Sequence, residues 1–276
     1  MNYRILILLV SLGVSRVIMA QEPCLEKYTT LDPGGIPDGN AAVQQYDVVL
    51  KWQNLDAING TVFNCNAVSA VYHTGLENEQ VAWKDVHLAQ LSEIQEDPSE
   101  GTLLPDFEGF SYRMFDTAFL EEDFYDDLPA SQRDLAKWLV SDAIQMHGMA
   151  IYYFDSLRYN IKFVPEMLSG YPVEFENWVT FSSRYQEMVW NGLAIHSGEV
   201  CAEVAFHSLY NPVIIDNEQM TVKGRSLYYG EMWISLSDKQ VERATMVEDV
   251  VMKLTSDAFP GEQLINLQRE ITFSKR

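Results

Sequence analysis

The stretch 227–254 constrains the fold most, because it carries the clearest strand signal in the sequence. Apolar side chains alternate with other residues on both sides of the polar cluster 237–240. Strict alternation predicts two strands that each have one buried face, and the polar cluster predicts the turn between them. We therefore predict a long β-hairpin within an antiparallel sheet.

The length of this turn decides which side chains share a face, since a slip of one residue exchanges the two faces of a strand. A turn of four residues would bring Tyr229 and Trp233 to the apolar face. A turn of three or five would bring Met232 and Ile234 to the face of the apolar residues on the return strand, which are Ala244, Met246, Val250 and Met252. We prefer the odd turn because it leaves Glu231, Arg243 and Thr245 together on the other face.

Similar alternation predicts further strands over 46–53, 62–73, 81–90, 188–195, 199–209 and 264–274. Their short polar connections favour antiparallel pairing. Apolar residues recur at helical spacing over 131–157, and Ser131 with Asp134 resembles a capping box. The predicted fold class is α+β, with an antiparallel sheet covered by one long amphipathic helix.

Residues 1–20 resemble a secretory signal peptide. Arg4 precedes an apolar run, and Ile18-Met19-Ala20 predicts cleavage after Ala20. The run is shorter than the roughly 20 residues that a membrane-spanning helix needs, so we expect no stable membrane insertion. The protein is then extracytoplasmic, either periplasmic or secreted.

After the signal peptide we expect an irregular amino-terminal arm over 21–41, which is rich in turn formers. Residues 42–276 then form a single α+β domain, and a subdivision near residue 128 stays open. The formal net charge of −21 repels nucleic acid and anionic membranes, so we expect no nucleic-acid partner.

Three cysteines, Cys24, Cys65 and Cys201, predict one disulfide and one free thiol in an oxidising compartment, and the pairing stays open. Asn59-Gly60-Thr61 predicts a tight turn, and it is also a glycosylation sequon in a eukaryotic secretory pathway.

The segment 107–125 interleaves acidic with aromatic residues, namely Phe107, Phe110, Tyr112, Phe115, Phe119, Phe124 and Tyr125. This aromatic density predicts a packed loop and makes the segment Phe107 to Tyr125 the place where a protein partner would bind. The acids at 121–123 and 126–127 are of the type that calcium prefers, but a solvated acidic rim before the helix explains them as well. We expect no metal and no cofactor.

No catalytic motif is present: the sequence lacks a nucleophile elbow, a paired-histidine zinc helix, a P-loop and a dinucleotide fingerprint. His196 and His207 approach each other across a predicted hairpin but have no third metal ligand. Carboxylate pairs need no local motif, and Glu231 and Asp142 are the acids to inspect first. The sequence therefore predicts no catalytic residues, and a carboxylate-based extracytoplasmic hydrolase stays an alternative.

Methionines are concentrated on the predicted inner surfaces of the helix and the hairpin. Methionine is flexible and polarizable and adapts to varied apolar shapes. A cavity between helix and sheet would then bind an apolar ligand through Trp138, Met146, Met149, Tyr153, Met232, Ile234, Met246 and Met252. Ordinary core packing is the alternative explanation of the same pattern.

The carboxyl-terminal half resembles the LolA-like superfamily of exported lipoprotein and lipid carriers. The resemblance lies in the long antiparallel strands and in the glycines and aromatics of GRSLYYGEMWI, residues 224–234. It implies that the sheet is curved and half-barrel-like, an incomplete barrel whose open side is covered by helices and whose cavity holds acyl chains. The predicted function is therefore an exported carrier or binder of an apolar small molecule or lipid. Two alternatives to this function stay open: a secreted protein-interaction or scaffold module, and the hydrolase named above.

Overall fold

A computed structural model of the chain describes residues 26–39, 42–98, 101–115, 117–165, 172–175, 179–182, 185–216, 220–256 and 261–276. The predicted signal peptide and Cys24 lie outside these residues. So does Asn40, at the end of the predicted arm.

The amino-terminal part of the described chain forms a meander. Its three long strands are β1 (Gln44–Asp56), β2 (Val62–Thr74) and β3 (Gln80–Gln90). Two short strands, β4 (Thr102–Leu103) and β5 (Ser111–Arg113), both pair with β3. Strands were predicted at each of the three long positions, and these predictions are confirmed.

The carboxyl-terminal part begins with helix α1 (Ala130–Tyr153) and continues with short strands and then with long ones. The short strands are β6 (Lys162–Phe163), β7 (Pro172–Phe175) and β8 (Val179–Ser182). The long strands are β9 (Gln186–His196), β10 (Glu199–Asp216), β11 (Met220–Ser235), β12 (Val241–Ser256) and β13 (Glu262–Lys275).

All the strands belong to one antiparallel sheet, which has 13 strands among the described residues. Its order is β4-β3-β2-β1-β13-β12-β11-β10-β8-β7, while β5 pairs with β3, β9 with β10 and β6 with β9. The pairing of β1 with β13 joins the two ends of the chain, so the meander and the carboxyl-terminal strands form one continuous sheet.

The predicted fold class, an α+β half-barrel, is wrong. The chain is mainly β, and its large sheet is open, because the path of strands ends at β4 on one side and at β7 on the other. Strand content was underestimated where proline was taken as a breaker. Pro212 lies within β10, and both β10 and β11 extend well beyond the predicted ranges.

The central hairpin has the register that the odd turn predicts. Residues 236–240 form the turn between β11 and β12, and Met232 lies opposite Ala244. Met232, Ile234, Ala244, Met246 and Val250 are all buried. Glu231 faces Thr245 on the other side of the sheet, so this prediction is confirmed.

Helix α1 begins and ends earlier than the pattern suggested. Its N-cap residue is Pro129, which makes no side-chain capping bond, so the predicted capping box of Ser131 and Asp134 is wrong. The buried residues of α1 extend from Ala136 to Ala150 and include Asp142 and His147. The helix packs on one face of the sheet, which we call the helix face, and the opposite side is the outer face.

Gly230 shows how closely the strands approach at the centre of the sheet. A Cβ atom there would lie 2.0 Å from the carbonyl oxygen of Thr245 and 2.7 Å from Cζ of Phe206. The Phe206 ring therefore occupies the space that a side chain at this position would need.

We expect Gly230→Ala to lower the free energy of unfolding by about 1–3 kcal/mol, because backbone and a buried ring must both shift. Urea unfolding followed by circular dichroism measures the loss. Gly35→Ala is the control, since no heavy atom lies within 4 Å of its Cβ position. Equal stability of the two variants would contradict the close packing at Gly230.

Candidate functional site

One row of side chains runs across the helix face, perpendicular to the strands. Its members are cross-strand partners on six neighbouring strands, and we call them the central row: Trp52, Arg269, Glu248, Tyr228, Ser208 and Gln186. The row divides the helix face into two halves.

Helix α1 lies against the central row. The ring of Trp138 packs edge-on against Trp52 with centroids 5.5 Å apart. The carboxylate of Asp142 meets the guanidinium of Arg269, and Met149 contacts Gln186 at the far end of the row.

Arg269 is the centre of a buried charged network. Its Nη1 and Nη2 groups donate to the two carboxylate oxygens of Asp142 at 2.5 and 2.9 Å, and its Nε–H donates to Glu248. Glu248 also accepts a hydrogen bond from the Ser226 hydroxyl. The Asp142 side chain is 1% exposed and that of Arg269 12%, so water screens these charges little.

Two carboxylates share this one guanidinium, which perturbs the pKa of both Asp142 and Arg269. Burial raises the pKa of Asp142 to about 6, the Arg269 charge and hydrogen bonds oppose this, and the Glu248 charge adds to it. Burial lowers the pKa of Arg269, but Asp142 and Glu248 raise it by more, so Arg269 stays charged. The network thus holds one cation between two acids.

His147, five residues beyond Asp142 on α1, is buried among aromatic rings. Its ring centroid lies 5.0 Å from Tyr46, 5.6 Å from Tyr72 and 5.9 Å from Phe273. Its Nε2 atom has no hydrogen-bond partner among the described residues. Burial lowers the pKa of His147 to about 4, so the ring is neutral at pH 7.

The half of the helix face beside His147 is filled core. Five of the eight predicted ligand-binding residues belong to one hydrophobic cluster and are at most 2% exposed: Met146, Met149, Met232, Ile234 and Met246. Trp138 and Tyr153 are partly buried against the same cluster. The structure thus brings seven of the predicted residues together, and their arrangement is that of packed interior.

Met252, the eighth predicted residue, lies on the other side of the central row. Eight apolar residues there have side chains on the helix face and lie outside the two hydrophobic clusters; Val222 and Val250 are buried and the other six are partly buried. We call them the apolar half-face: Val213, Ile215, Val222, Val250, Met252, Leu254, Ile265 and Leu267.

Strand β12 shows where the burial of side chains on the helix face ends. From Ala244 to Val250 every second residue is buried, whereas Met252 and Leu254, the next two on the same face, are only partly buried. The apolar half-face is therefore a continuation of the core surface beyond α1.

Sequence reasoning missed Arg269, Glu248 and Ser226, which fix the position of the helix. The signal was present as interruptions of the apolar alternation. Glu248 stands between Met246 and Val250 at a core-facing position, and Arg269 stands between Leu267 and Ile271.

The other candidate residues do not converge. Asp142 is bonded to Arg269, while Glu231 lies on the outer face. His207 lies 4.0 Å from Glu187, and His196 packs against Trp233 with ring centroids 5.9 Å apart. No three His, Cys, Asp or Glu side chains in the described part of the chain are grouped to hold a metal ion.

The aromatic segment is packed as predicted. Phe107, Tyr112 and Tyr125 are buried in the main core, and Phe110, Phe119 and Phe124 pack against it, while Phe115 is exposed. A protein partner at this segment stays a prediction.

Cys65 and Cys201 are both free and buried. Within the described ranges no helix is long and apolar enough to cross a membrane.

No protein-family model and no curated protein matches the sequence. Among solved structures, the chain is similar to lipovitellin, in a study of lipid–protein interactions in that protein. The TM-score is 0.38 at 9% identity, over 84% of this chain and 25% of that one. The chain thus spans about a quarter of that neighbour, and a similarity this low says nothing about its function. No comparison identifies a LolA-like family, so that resemblance stays a prediction.

The raised pKa of Asp142 predicts a pH-dependent stability. Asp142 binds its proton more tightly in the folded state than in the unfolded state. Its contribution to the free energy of unfolding therefore falls as pH rises from about 4 to about 6. Asp142→Asn keeps a hydrogen-bonding side chain but cannot titrate. We expect the stability of the wild type relative to this variant to rise on acidification by up to about 1.4 kcal/mol per pH unit. Urea unfolding between pH 4 and 7 measures it, and a constant difference would contradict the prediction.

His147 predicts a stability that changes with pH in the opposite direction. Its pKa in the folded state lies below its ordinary value, so its contribution to the free energy of unfolding is complete above about pH 6.5 and is lost as pH falls towards 4. His147→Phe keeps an aromatic ring among Tyr46, Tyr72 and Phe273 without titrating. We expect this variant to lose less stability than the wild type between pH 6.5 and 4. A thermal-melting series over that range tests it, and an unchanged acid profile would be the contrary result.

Proposed function

We propose that the protein binds an apolar, lipid-like ligand on the apolar half-face. The observation that supports this is the set of eight apolar side chains that continue the core surface beyond α1, of which all but Val222 and Val250 are only partly buried. A contiguous apolar surface of this kind is typical of a ligand or partner site rather than of a solvent-facing sheet.

The chemistry of the half-face favours a ligand without charge on the part that is bound. None of its eight side chains is ionisable. Polar residues on the same face border it on β1, where Asn54 lies opposite Leu267 and Asp56 opposite Ile265, and beside the central row, where the Ser226 hydroxyl is bonded to Glu248. Since covering apolar surface yields roughly 25 cal/mol per Å², a hydrocarbon chain laid along these strands is stabilised by burial alone.

Gly224 lies between Met252 on β12 and Val213 on β10 and lets β12 approach closely. A Cβ atom at Gly224 would lie 2.7 Å from Cβ of Met252, so Met252 occupies that space. Met252 has the flexibility to adapt to ligands of different shape.

The remaining predicted residues would contact a ligand only if α1 moved. Met146, Met149, Met232, Ile234 and Met246 fill the core beneath the helix, and Trp138 and Tyr153 border it. Displacing α1 requires separating Asp142 from Arg269, and breaking a buried ion pair costs about 3–5 kcal/mol. We therefore assign binding to the accessible half-face. We further propose that the protein acts outside the cytoplasm, as its first twenty residues suggest.

Neighbouring residues on opposite faces of β12 provide the test. Met252 lies on the half-face and Val251 on the outer face, so Met252→Asp and Val251→Asp introduce the same charge on opposite sides of one strand. With the neutral apolar probe Nile red, we expect Met252→Asp to weaken binding about tenfold or more, because a carboxylate would be buried by the probe. We expect Val251→Asp to bind as the wild type does.

Fluorescence titration measures both affinities, and circular dichroism confirms that both variants are folded. The proposal fails if the wild type does not bind Nile red or if the two variants bind equally. Native mass spectrometry of the freshly purified protein gives an independent measurement, since a co-purified apolar ligand would add a discrete mass.

A further inference from the structure

The turn between β1 and β2 carries the tripeptide Asn59-Gly60-Thr61 at one end of the sheet. Nowhere else in the sequence is an asparagine followed two residues later by serine or threonine. Such a tripeptide is the acceptor for N-linked glycosylation in a secretory pathway. The same residues also suit a tight turn, and the geometry of the turn bears on both explanations.

We propose that Asn59 is glycosylated, so that the folded protein carries one N-linked oligosaccharide on this turn. This rests on the part of the proposed function that places the protein outside the cytoplasm, because the oligosaccharide is transferred inside a secretory pathway of the eukaryotic type. It does not depend on the ligand of the apolar half-face. Three observations support it: the open position of the tripeptide, the hydrogen bonds of Asn59, and the exposed apolar side chains around the turn.

The tripeptide borders open space. Every residue from 57 to 63 is exposed. A Cβ atom at Gly60, in the middle of the tripeptide, would meet no heavy atom within 4 Å. The folded turn therefore has room for a bulky group on Asn59.

The turn is held together without the amide nitrogen of Asn59, which is the atom that carries the sugar. The Asp56 carboxylate accepts hydrogen bonds from the N–H groups of Ile58 and Asn59 at 2.8 and 3.0 Å. The side-chain oxygen of Asn59 accepts one from the Thr61 N–H at 2.8 Å. Glycosylation leaves that oxygen in place as an amide carbonyl, so the modified turn keeps these three hydrogen bonds.

Turn formation explains Asn59 and Gly60 but leaves the Thr61 hydroxyl unexplained. Gly60 has a φ of +73°, which favours glycine, and the Asn59 side chain bonds to the backbone two residues on, as asparagine in turns does. The Thr61 side chain is exposed, and its hydroxyl makes no hydrogen bond within the described part of the chain. A hydroxyl at this position is what the acceptor tripeptide requires.

Exposed apolar side chains surround the tripeptide. Ile58 is 80% exposed, and Val62, Phe63 and Leu264 are exposed as well. The backbone carbonyl of Leu264 accepts a hydrogen bond from the turn, which holds this residue beside it. Grouped apolar side chains at a surface favour association, and a glycan is bulky and solubilising. An oligosaccharide on Asn59 thus supplies polar cover where the chain itself has apolar side chains.

The transfer requires an oligosaccharide linked to a lipid diphosphate as the co-substrate. The side-chain nitrogen of Asn59 forms a bond to the anomeric carbon of the oligosaccharide. The bond from that carbon to the diphosphate oxygen breaks, and the lipid diphosphate leaves with the bonding electrons. The amide nitrogen loses one proton, and nothing is oxidised or reduced.

Secretion of the full chain from insect cells, directed by its own first twenty residues, tests the inference. We expect the wild type to migrate as a heavier species that peptide-N-glycosidase converts to a lighter one. This enzyme leaves aspartate where a glycosylated asparagine stood. Mass spectrometry of the peptide that contains residue 59 therefore identifies the modified residue.

Four variants make the test specific. We expect Asn59→Gln and Thr61→Ala to lose the heavier species completely. Thr61→Ser keeps the hydroxyl and is expected to retain it. Asn64→Gln is the matched control, because Asn64 is a nearby exposed asparagine outside any acceptor tripeptide, and it is expected to migrate as the wild type does.

An unmodified wild type overturns the inference, and so does a heavier species that persists in Asn59→Gln. Secretion with an established signal sequence in place of residues 1–20 then locates the failure. Modification that appears only with that sequence refutes export by the chain's own first residues, whereas a secreted but unmodified chain refutes the site at Asn59. Nile red binding is measured on protein produced in bacteria, which carries no such glycan, so neither result alters the test of the apolar half-face.

Discussion

The ion pair between Asp142 and Arg269 determines where the helix lies and therefore where the core ends. Arg269 on β13 is bonded both to Asp142 on α1 and to Glu248 on β12, so one guanidinium connects the helix to two central strands. A buried arginine needs both partners, because leaving it or either acid unpaired in the interior is costly. The helix is held along the central row by this requirement, and apolar packing alone would allow it to slide along the sheet.

The position of the helix produces the two unequal halves of the helix face. On one side, His147 and the methionines of α1 and the hairpin fill the core. On the other side, the same strands continue with apolar residues such as Met252 and Leu254 that α1 does not bury. Asp142 and His147 lie on the same helix and perturb stability with opposite pH slopes, so their contributions offset each other in mildly acidic solution. The attachment of α1 is thus less sensitive to pH than either group alone would make it.

Much of the sheet could be predicted from the sequence, because alternation reports local exposure strand by strand. It located β1, β2, β3, β9 and the central hairpin, including the register that places Met232 opposite Ala244. The charged interruptions at Glu248 and Arg269 were visible too, but their pairing depends on how β12 and β13 are aligned and on where α1 lies. Those are long-range properties that no local pattern contains. The fold class was wrong for a related reason: Pro212 lies inside the long strand β10, where neighbouring strands supply the stability that the local sequence lacks.

The same reasoning explains why methionines were a misleading guide to an accessible site. A flexible apolar side chain suits a filled interior as well as a ligand cavity, so Met146 and Met246 in the core look the same in the sequence as Met252 outside it. What distinguishes them is distance along the strand from the Arg269 ion pair. Residues on the helix face are buried on the side of Phe273, whereas Met252, Leu254 and Ile265 on the other side are only partly buried. The proposed ligand site is therefore defined by where the buried ion pair holds the helix, and it lies on the part of the helix face where Met252 and Leu254 are only partly buried.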